Sequence, residues 1–222
     1  MQIVNSKVEV ISDFDPDKAR EIIQKAAKTC YQTNKDSDDR ESAIRIIKAL
    51  KESGHHSMFE FFNVTMHYTS NIATYKDLTR HRHCTFAVES SRYCSYDKDK
   101  FGNEIKCLKP VELKEGTPAY KEWLTACCYC EHCYMRMIEN GATPDQASLV
   151  LPQSTAAQFT MSANLREWYH ILSLRAVGVT GKPRPCVREI MIPTLNIFAE
   201  KLPEIFGDLK EKLKEEKWKC SL

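Results

Sequence analysis

The sequence predicts a single domain of the α+β class. Segments 7–10 and 62–69 show the two-residue alternation of strands, and several longer segments follow the period of a helix. The two kinds of segment do not alternate regularly, which argues against a parallel α/β sheet. A length of 222 residues with 42% hydrophobic residues is enough to bury a core. We therefore expect residues 1–222 to form one domain, with a charged C-terminal tail at 209–222 whose residues 210–219 form a solvated amphipathic helix end.

The first half of the chain contains clear signals for the ends of helices. Asp15 and Pro16 are a typical N-cap and first-turn pair, and Gly54 is placed to end a later helix. In chain order, the predicted elements are a strand at 7–10, a helix from Pro16, a polar linker at 33–39, a helix ending near Gly54, a strand at 62–69 and a helix capped by Ser70 and Asn71 that ends near Arg80.

The second half is predicted to be mainly helical. Residues 81–96 have no clean period, so we interpret them as a loop. The remaining predicted elements are a turn at 97–103, a long helix from Thr117 and Pro118 to Asn140, a short helix from Thr143 that ends by Leu151, a strand at 159–163, helices at 164–177 and 186–203, the second bent by Pro193, and an amphipathic tail with Leu209, Leu213 and Trp218 on one side.

Composition excludes several classes of protein. The 32 basic and 30 acidic side chains give a net charge of +2, which argues against extended binding to nucleic acid. With 7 glycines, the chain contains neither a dinucleotide-binding G-x-G-x-x-G motif nor a P-loop. Phosphate groups, if bound, are therefore expected to be held by side chains.

The chain carries no signal for a membrane. The uncharged stretch at 146–165 is interrupted by Gln, Ser, Thr, Pro and Asn, so it is not predicted to span a bilayer. The first seven residues lack the apolar core of a signal peptide. We expect a cytoplasmic protein whose ten cysteines are reduced.

A cysteine-rich segment invites comparison with metal sites. Cys127, Cys128, Cys130 and Cys133 lie close together in the sequence, but within a predicted helix. Side chains at 127, 130 and 133 would spread over about 240° of that helix. They cannot converge on one tetrahedral metal unless the helix breaks, so we predict packing and no metal site.

The densest chemistry lies between residues 80 and 92. Three arginines and two histidines fall within these thirteen residues, in the segments Arg80–His83 and Glu89–Tyr93. Arginine binds phosphate or carboxylate through two parallel hydrogen bonds, and serine hydroxyls can complete such a site. The residues therefore indicate a site for a small polyanion, with a solvated basic loop or a nucleic-acid patch as alternatives.

Several motifs in order resemble the flavin-dependent thymidylate synthases, the ThyX family. Arg80-His81-Arg82, seven residues and then Ser90 match the family's R-H-R-x7-S signature. Further matches are Gly54–Glu60, which resembles G-H-x-S/T-x-x-E, the S-x-R-Y segment Ser90–Tyr93, Leu151-Pro152, Asn164–Trp168, Leu174-Arg175 and Arg188-Glu189. The resemblance covers roughly residues 8 to 206.

The resemblance implies an activity and an assembly. The family methylates dUMP at carbon 5 to give dTMP, with 5,10-methylenetetrahydrofolate as carbon donor, FAD as hydride carrier and NADPH as reductant. It implies a twisted sheet with flanking long helices, assembled as a homotetramer with active sites at subunit interfaces. No cysteine attacks the pyrimidine in this family, so Cys84 and Cys94 need no catalytic role.

The resemblance also implies roles for individual residues. Arg175 is expected to contact the pyrimidine and to favour its ionised form, as the catalytic residue. The residues expected to contact the flavin are His55, Ser57, Arg80, His81, Arg82, Asn164, Arg166 and His170. Those expected to bind the nucleotide are Asp77, Arg80, Glu89, Ser90, Ser91, Arg92 and Arg175, with Arg92 on the phosphate.

The predicted helix at 164–177 gives an independent view of Arg175. Arg166 and His170 share one face, whereas Arg175 lies about 180° from Arg166 at 100° per residue. That places Arg175 on the apolar stripe of Leu165 and Trp168. A buried arginine needs a partner, which a nucleotide or an acidic core residue could provide.

The sequence departs from the family pattern mainly at expected nucleotide contacts. Ser148 stands where the family usually has arginine, and Val88 where glutamine or glutamate is common. These changes leave two alternatives to dUMP methylation open. One is a related enzyme that acts on another pyrimidine nucleotide, such as dCMP, or forms a hydroxymethyl product. The other is a non-catalytic relative that binds nucleotide or nucleic acid.

Overall fold

The computed structural model describes residues 1–31, 39–98 and 102–215. Most of the predicted linker at 33–39, the middle of the predicted turn at 97–103 and Trp218 lie outside the described residues. Strands and helices mix without β-α alternation, so the predicted α+β class is confirmed. None of the helices in the described ranges combines the length and apolar composition needed to cross a bilayer.

The main sheet has four antiparallel strands. They are β2 (Lys7–Val10), β3 (Asn63–Asn71), β6 (Ala156–Asn164) and β4 (Thr85–Val88), in the order β2-β3-β6-β4. The central strands β3 and β6 pair along their full length, from Asn63 opposite Asn164 to Asn71 opposite Ala156. Because successive side chains alternate, Val64, Met66 and Tyr68 all face the core, as the sequence predicts.

Two strand pairings were missing from the prediction. The interpretation of 81–96 as loop is wrong at β4. Its four residues pair with β6 in antiparallel register, with Val88 opposite Phe159. In a second sheet, β1 (Gln2–Val4) pairs in parallel with β5 (Lys106–Leu108). The two strands are separated in sequence by about half the length of the chain. Strands this short carry little periodicity, and they form because a distant partner supplies the hydrogen bonds.

The helices begin where the capping signals indicate. Thr117 accepts a hydrogen bond from the backbone N–H of Tyr120, and Asn71 accepts one from that of Thr74. The helices are α1 (Pro16–Tyr31), α2 (Arg40–Glu52), α3 (Ile72–Leu78), α4 (Pro118–Glu139), α5 (Pro144–Ala147), α6 (Leu165–Leu172), α7 (Pro185–Lys201, with Pro193 inside it) and α8 (Pro203–Glu215). Short 3₁₀ helices span His56–Phe61 and Ser148–Val150, and a π-helix spans Ser173–Val177.

The large core lies between the main sheet and the C-terminal helices. Trp168 is fully buried, and its indole N–H donates a hydrogen bond to the carbonyl of Val64 at 3.0 Å. The amphipathic pattern predicted for the C-terminal tail is confirmed at its first two apolar positions, because Leu209 is 1% exposed and Leu213 packs against the core.

A smaller core forms where α4 packs near β5. Cys107, Cys127 and Tyr134 are buried there, and the Cys127 thiol lies 3.3 Å from the Ser154 hydroxyl. The helix continues unbroken through the cysteine-rich segment, as predicted, with Cys128 exposed. A hydrogen bond from Cys107 lowers the pKa of the Cys127 thiol below its usual range.

Candidate active site

Arg175 is held at two points by groups from another part of the chain. Its Nε atom donates a hydrogen bond to Nε2 of His81 at 2.9 Å. Its Nη2 atom donates to the backbone carbonyl of Asp77 at 3.1 Å. The prediction that this arginine needs a partner is met by an imidazole nitrogen and a carbonyl rather than by an acidic side chain.

The position of Arg175 depends on the π-helix that contains it. The N–H of Gly178 bonds to the carbonyl of Ser173, five residues earlier, at 2.9 Å. The predicted angle of 180° between Arg166 and Arg175 is therefore wrong, because a step of 100° per residue holds only for a regular α-helix. Gly178 ends the segment at φ 89°, a conformation that glycine adopts without strain.

Glu167 is a site residue that the sequence analysis missed. Its carboxylate lies 3.6 Å from Nδ1 of His81, on the opposite side of the ring from Arg175. Partial burial raises the pKa of this carboxyl group. Asn164 caps α6 by accepting a hydrogen bond from the Glu167 backbone N–H at 2.9 Å. The acidic residue three positions after a capping asparagine was the available signal.

His81 is buried, with 8% of its surface exposed. Burial, followed by the charges of Arg175 and His170, lowers the pKa of His81 to about 4. The imidazole is therefore uncharged near neutral pH. Since Nε2 accepts a hydrogen bond from Arg175, the ring proton of this neutral form lies on Nδ1, facing Glu167.

A cavity of about 640 Å³ opens beside this cluster. Three of the predicted flavin contacts line it together, namely Asn164, Arg166 and His170. Arg166 forms an exposed ion pair at 2.5 Å with Glu60, and Glu60 also lines the cavity. The other lining residues are His56, His83, Glu167, Tyr169 and Ser173.

The remaining predicted flavin contacts border this region. His55 and Ser57 are exposed at the 3₁₀ helix whose first residue, His56, lines the cavity. Arg80 and Arg82 flank His81 and are both exposed. His83 adopts a φ of 61°, which turns the chain towards β4. The basic segment therefore presents its arginines to solvent and buries its first histidine.

The other predicted nucleotide contacts lie in the turn after β4. The Glu89 carboxylate accepts hydrogen bonds from the backbone N–H of Gln158 at 3.1 Å and from the Tyr96 hydroxyl at 3.3 Å. Ser90 accepts two backbone hydrogen bonds that close the turn containing Ser91. Arg92 is exposed and lies 3.5 Å from the carboxylate of Asp145. Thus the predicted nucleotide contacts form two groups, one around His81 and one in this turn.

One group in the described ranges has three side chains close enough to share a metal ion. The ligand atoms of His81, Glu167 and His170 lie within 4.8 Å of one another. In the hydrogen-bonded form, however, Nε2 of His81 is taken by Arg175 and Nδ1 carries the proton. The arrangement therefore suits a hydrogen-bond network better than metal coordination.

Comparison with known proteins decides the family. Residues 10–204 match the family model described as thymidylate synthase complementing protein. The chain belongs to this family. The predicted resemblance is thereby confirmed, and with it the prediction of a methyltransferase enzyme, which sets aside the non-catalytic alternative.

Named relatives in the thymidylate synthase complementing protein family are distant but similar in length. A flavin-dependent thymidylate synthase of Synechocystis sp. is 22% identical over 213 residues, covering 92% of this chain and 96% of the relative. One of Corynebacterium glutamicum is 24% identical over 214 residues, covering 88% and 82%.

Solved structures confirm the fold. The UMP/dUMP methylase PolB of Streptomyces cacaoi, bound to 5-bromo-dUMP, superposes with a TM-score of 0.77 at 23% identity, covering 95% of this chain and 97% of that one. Its structure with 5-bromo-UMP gives a TM-score of 0.76 at 22% identity, covering 96% and 97%. The likeness at this identity concerns the arrangement of strands and helices.

Proposed function

We propose that the protein is a flavin-dependent thymidylate synthase that methylates dUMP at carbon 5. The observation that carries the proposal is the fixed guanidinium of Arg175, which His81 links to the cavity that Asn164, Arg166 and His170 line. The ring of His81 lies 5.8 Å from that of His170 in the cavity wall. FAD, NADPH and 5,10-methylenetetrahydrofolate are the cofactors that the family resemblance implies.

The residues present fit a flavin nucleotide. A volume of about 640 Å³ lies within the range of cofactor clefts. The amide of Asn164 and the guanidinium of Arg166 provide donors inside it, and Arg80 and Arg82 provide exposed positive charge nearby for a pyrophosphate. Bound there, a reduced flavin would supply the hydride, leaving binding, orientation and polarisation to the protein.

The chain's own residues support charge stabilisation rather than attack by a thiol. A guanidinium held by His81 and Asp77 does not need to reorganise when negative charge develops on a pyrimidine. Arg92, in the turn after β4, is suited to a phosphate. Burial raises the pKa of the Cys84 thiol to about 12, which makes it a poor nucleophile at neutral pH.

The two groups of nucleotide contacts support an interfacial site. The group around Arg175 is held by α3 and the π-helix, whereas Glu89 and Arg92 are held by Gln158 and Asp145. A homotetramer that brings one group of each subunit towards the other group of its neighbour would complete the site. Light scattering coupled to gel filtration should give four times the mass of the 25.6 kDa chain.

A second candidate substrate class rests on Ser148. Without an arginine at this position, one expected contact to the nucleotide is missing, so selection for dUMP rests on fewer groups. The methylase of Streptomyces cacaoi, with the same fold, is described as acting on both UMP and dUMP. UMP and dCMP are therefore the competing substrates to test.

Tritium release from nucleotides labelled at carbon 5 tests the proposal directly. The purified protein is assayed with FAD, NADPH and methylenetetrahydrofolate against dUMP, UMP and dCMP in parallel. We expect release from dUMP and a methylated product by mass spectrometry, and much lower release from an Arg175→Ala variant. Release from UMP or dCMP alone would favour the second candidate, and no release from any would contradict the proposed function.

A further inference from the structure

His81 contacts Arg175 through Nε2, the ring nitrogen that accepts the hydrogen bond from the guanidinium. A neutral imidazole has one N–H donor and one acceptor, and an imidazolium has two donors. The 2.9 Å contact from Arg175 Nε to His81 Nε2 therefore requires an unprotonated Nε2. The side of the ring that carries the proton faces the Glu167 carboxylate at 3.6 Å.

The surroundings of His81 favour this single protonation state. Burial disfavours a second ring proton, and the charges of Arg175 from the π-helix and His170 from α6 act in the same direction. Glu167, also from α6, is the acidic side chain that faces the ring, and its own pKa is raised. Asp77 of α3 presents its backbone carbonyl to Arg175, while its carboxylate pairs with Arg184 at 3.3 Å.

The contact also determines which donors Arg175 can offer to a ligand. A guanidinium has five N–H donors in a rigid plane. His81 takes the Nε donor and Asp77 takes one on Nη2, so about three remain on the outer edge of the plane. Two fixed points at one edge restrict rotation of the whole group and aim the outer edge in one direction.

We propose that His81 is a positioning residue for the thymidylate synthase reaction. Its Nε2 atom aims the Arg175 guanidinium, and Glu167 holds the Nδ1 proton that leaves Nε2 free to accept. The relevance to catalysis rests on the proposed function, whereas the chain of contacts from Glu167 through His81 to Arg175 does not. This assigns His81 a task different from the flavin contact that the family resemblance implies, and it assigns a task to Glu167.

Two substitutions at His81 separate positioning from flavin binding. His81→Gln places an amide oxygen near the Nε2 position and can still accept from Arg175, whereas His81→Leu cannot. Since hydrogen bonds to charged groups change equilibria by about 10- to 100-fold, we expect His81→Leu to lower kcat/KM for the nucleotide by that factor. His81→Gln should stay within about tenfold of wild type. His132→Leu, at an exposed position on α4, is the matched control and should be unchanged.

The flavin content of the purified variants, measured by visible absorbance, tests whether His81 is a flavin contact. Loss of a flavin contact would lower this content. We expect both His81 variants and a Glu167→Leu variant to keep the flavin content of the wild type. Equal losses of activity in His81→Gln and His81→Leu, or loss of flavin from both, would overturn the positioning role.

Nitrogen NMR of the histidine ring tests the chain of contacts without any assay of activity. At pH 7, His81 should carry its proton on Nδ1 alone, and Glu167→Leu should shift part of the population to Nε2. A proton on Nε2, or on both nitrogens, in the wild type would refute the inference. If the enzyme releases no tritium from any nucleotide, the proposed function fails, while this measurement still decides whether His81 accepts from Arg175.

Discussion

Arg92 and Asp145 face each other at 3.5 Å between the turn after β4 and the start of α5. Both side chains are exposed, and exposed ion pairs contribute at most about 1 kcal/mol. We expect Arg92 to bind the nucleotide phosphate. The phosphate must then displace the Asp145 carboxylate, whose ion pair with Arg92 is weak. Nucleotide affinity should depend on both residues, with opposite signs.

Removing each partner tests this competition. Arg92→Ala should raise the KM for the nucleotide about 10- to 100-fold, because a charge-assisted hydrogen bond is lost. Asp145→Asn should lower the KM by about fivefold or less, because the competing charge is removed. Steady-state kinetics of the two variants checks both signs, and a higher KM in Asp145→Asn would contradict the competition.

Introducing the arginine that the family usually has is the second test of the nucleotide site. Ser148 donates a hydrogen bond to the carbonyl of Asp145 at 2.7 Å, so position 148 lies beside the pair formed with Arg92. Ser148→Arg should lower the KM for dUMP by about tenfold. Ser148→Lys, which adds the charge without the planar fork, should gain less. Equal KM values for wild type and Ser148→Arg would place position 148 outside the phosphate site.

The protonation state of His81 predicts a pH dependence of stability. The unfolded chain binds a proton on this ring near pH 6.5, whereas the folded chain binds it only near pH 4. The unfolded state therefore binds more protons between these values, and the free energy of unfolding must fall as the pH falls through this window. At about 1.4 kcal/mol per pH unit over this interval, the full contribution amounts to about 3 kcal/mol.

The comparison with His81→Gln isolates this contribution. Urea unfolding at pH 7.5, 6, 5 and 4.5 should show a steeper loss of stability on acidification in the wild type than in the variant. Glu167 is present in both proteins, so much of its own titration cancels. Parallel curves would mean that His81 has an ordinary pKa in the folded protein.

The ion pair between Arg20 and Glu204 should dominate the stability of the contact between α1 and α8. The two side chains meet at 2.6 Å and are 4% and 2% exposed. Glu204→Leu leaves Arg20 buried with Asp17 and the carbonyl of Lys201 as its remaining partners among the described residues, which should cost about 3 kcal/mol in unfolding free energy. The double variant Arg20→Met with Glu204→Leu should recover most of this loss, as measured by urea unfolding.

Local signals predicted much of the fold. Capping residues such as Thr117 and Asn71 act within one turn of chain, so their consequences can be read without knowledge of the rest of the molecule. The short strand Thr85–Val88 could not be read in this way, because its pairing with β6 reaches some seventy residues along the chain. Helical periodicity alone placed Leu209 and Leu213 on one apolar side of the tail, and both contact the core.

The candidate site shows the same division. The family resemblance implied that Asn164, Arg166 and His170 act together, and they line one cavity because a single capped helix carries them. The contact from Arg175 to His81 joins residues 94 positions apart, and no spacing rule reaches that far. Glu167 was missed because its importance comes from the ring it faces rather than from its position in a motif.

The π-helix at Ser173–Val177 has a consequence for sequence alignment. A π-helical turn is equivalent to an α-helix that has taken in one additional residue. A relative with a regular α-helix at this point would differ from this chain by a one-residue gap inside a helix, where alignments rarely allow gaps. An ungapped alignment would then pair Arg175 with the wrong residue of that relative, and a retained arginine would look like a substitution.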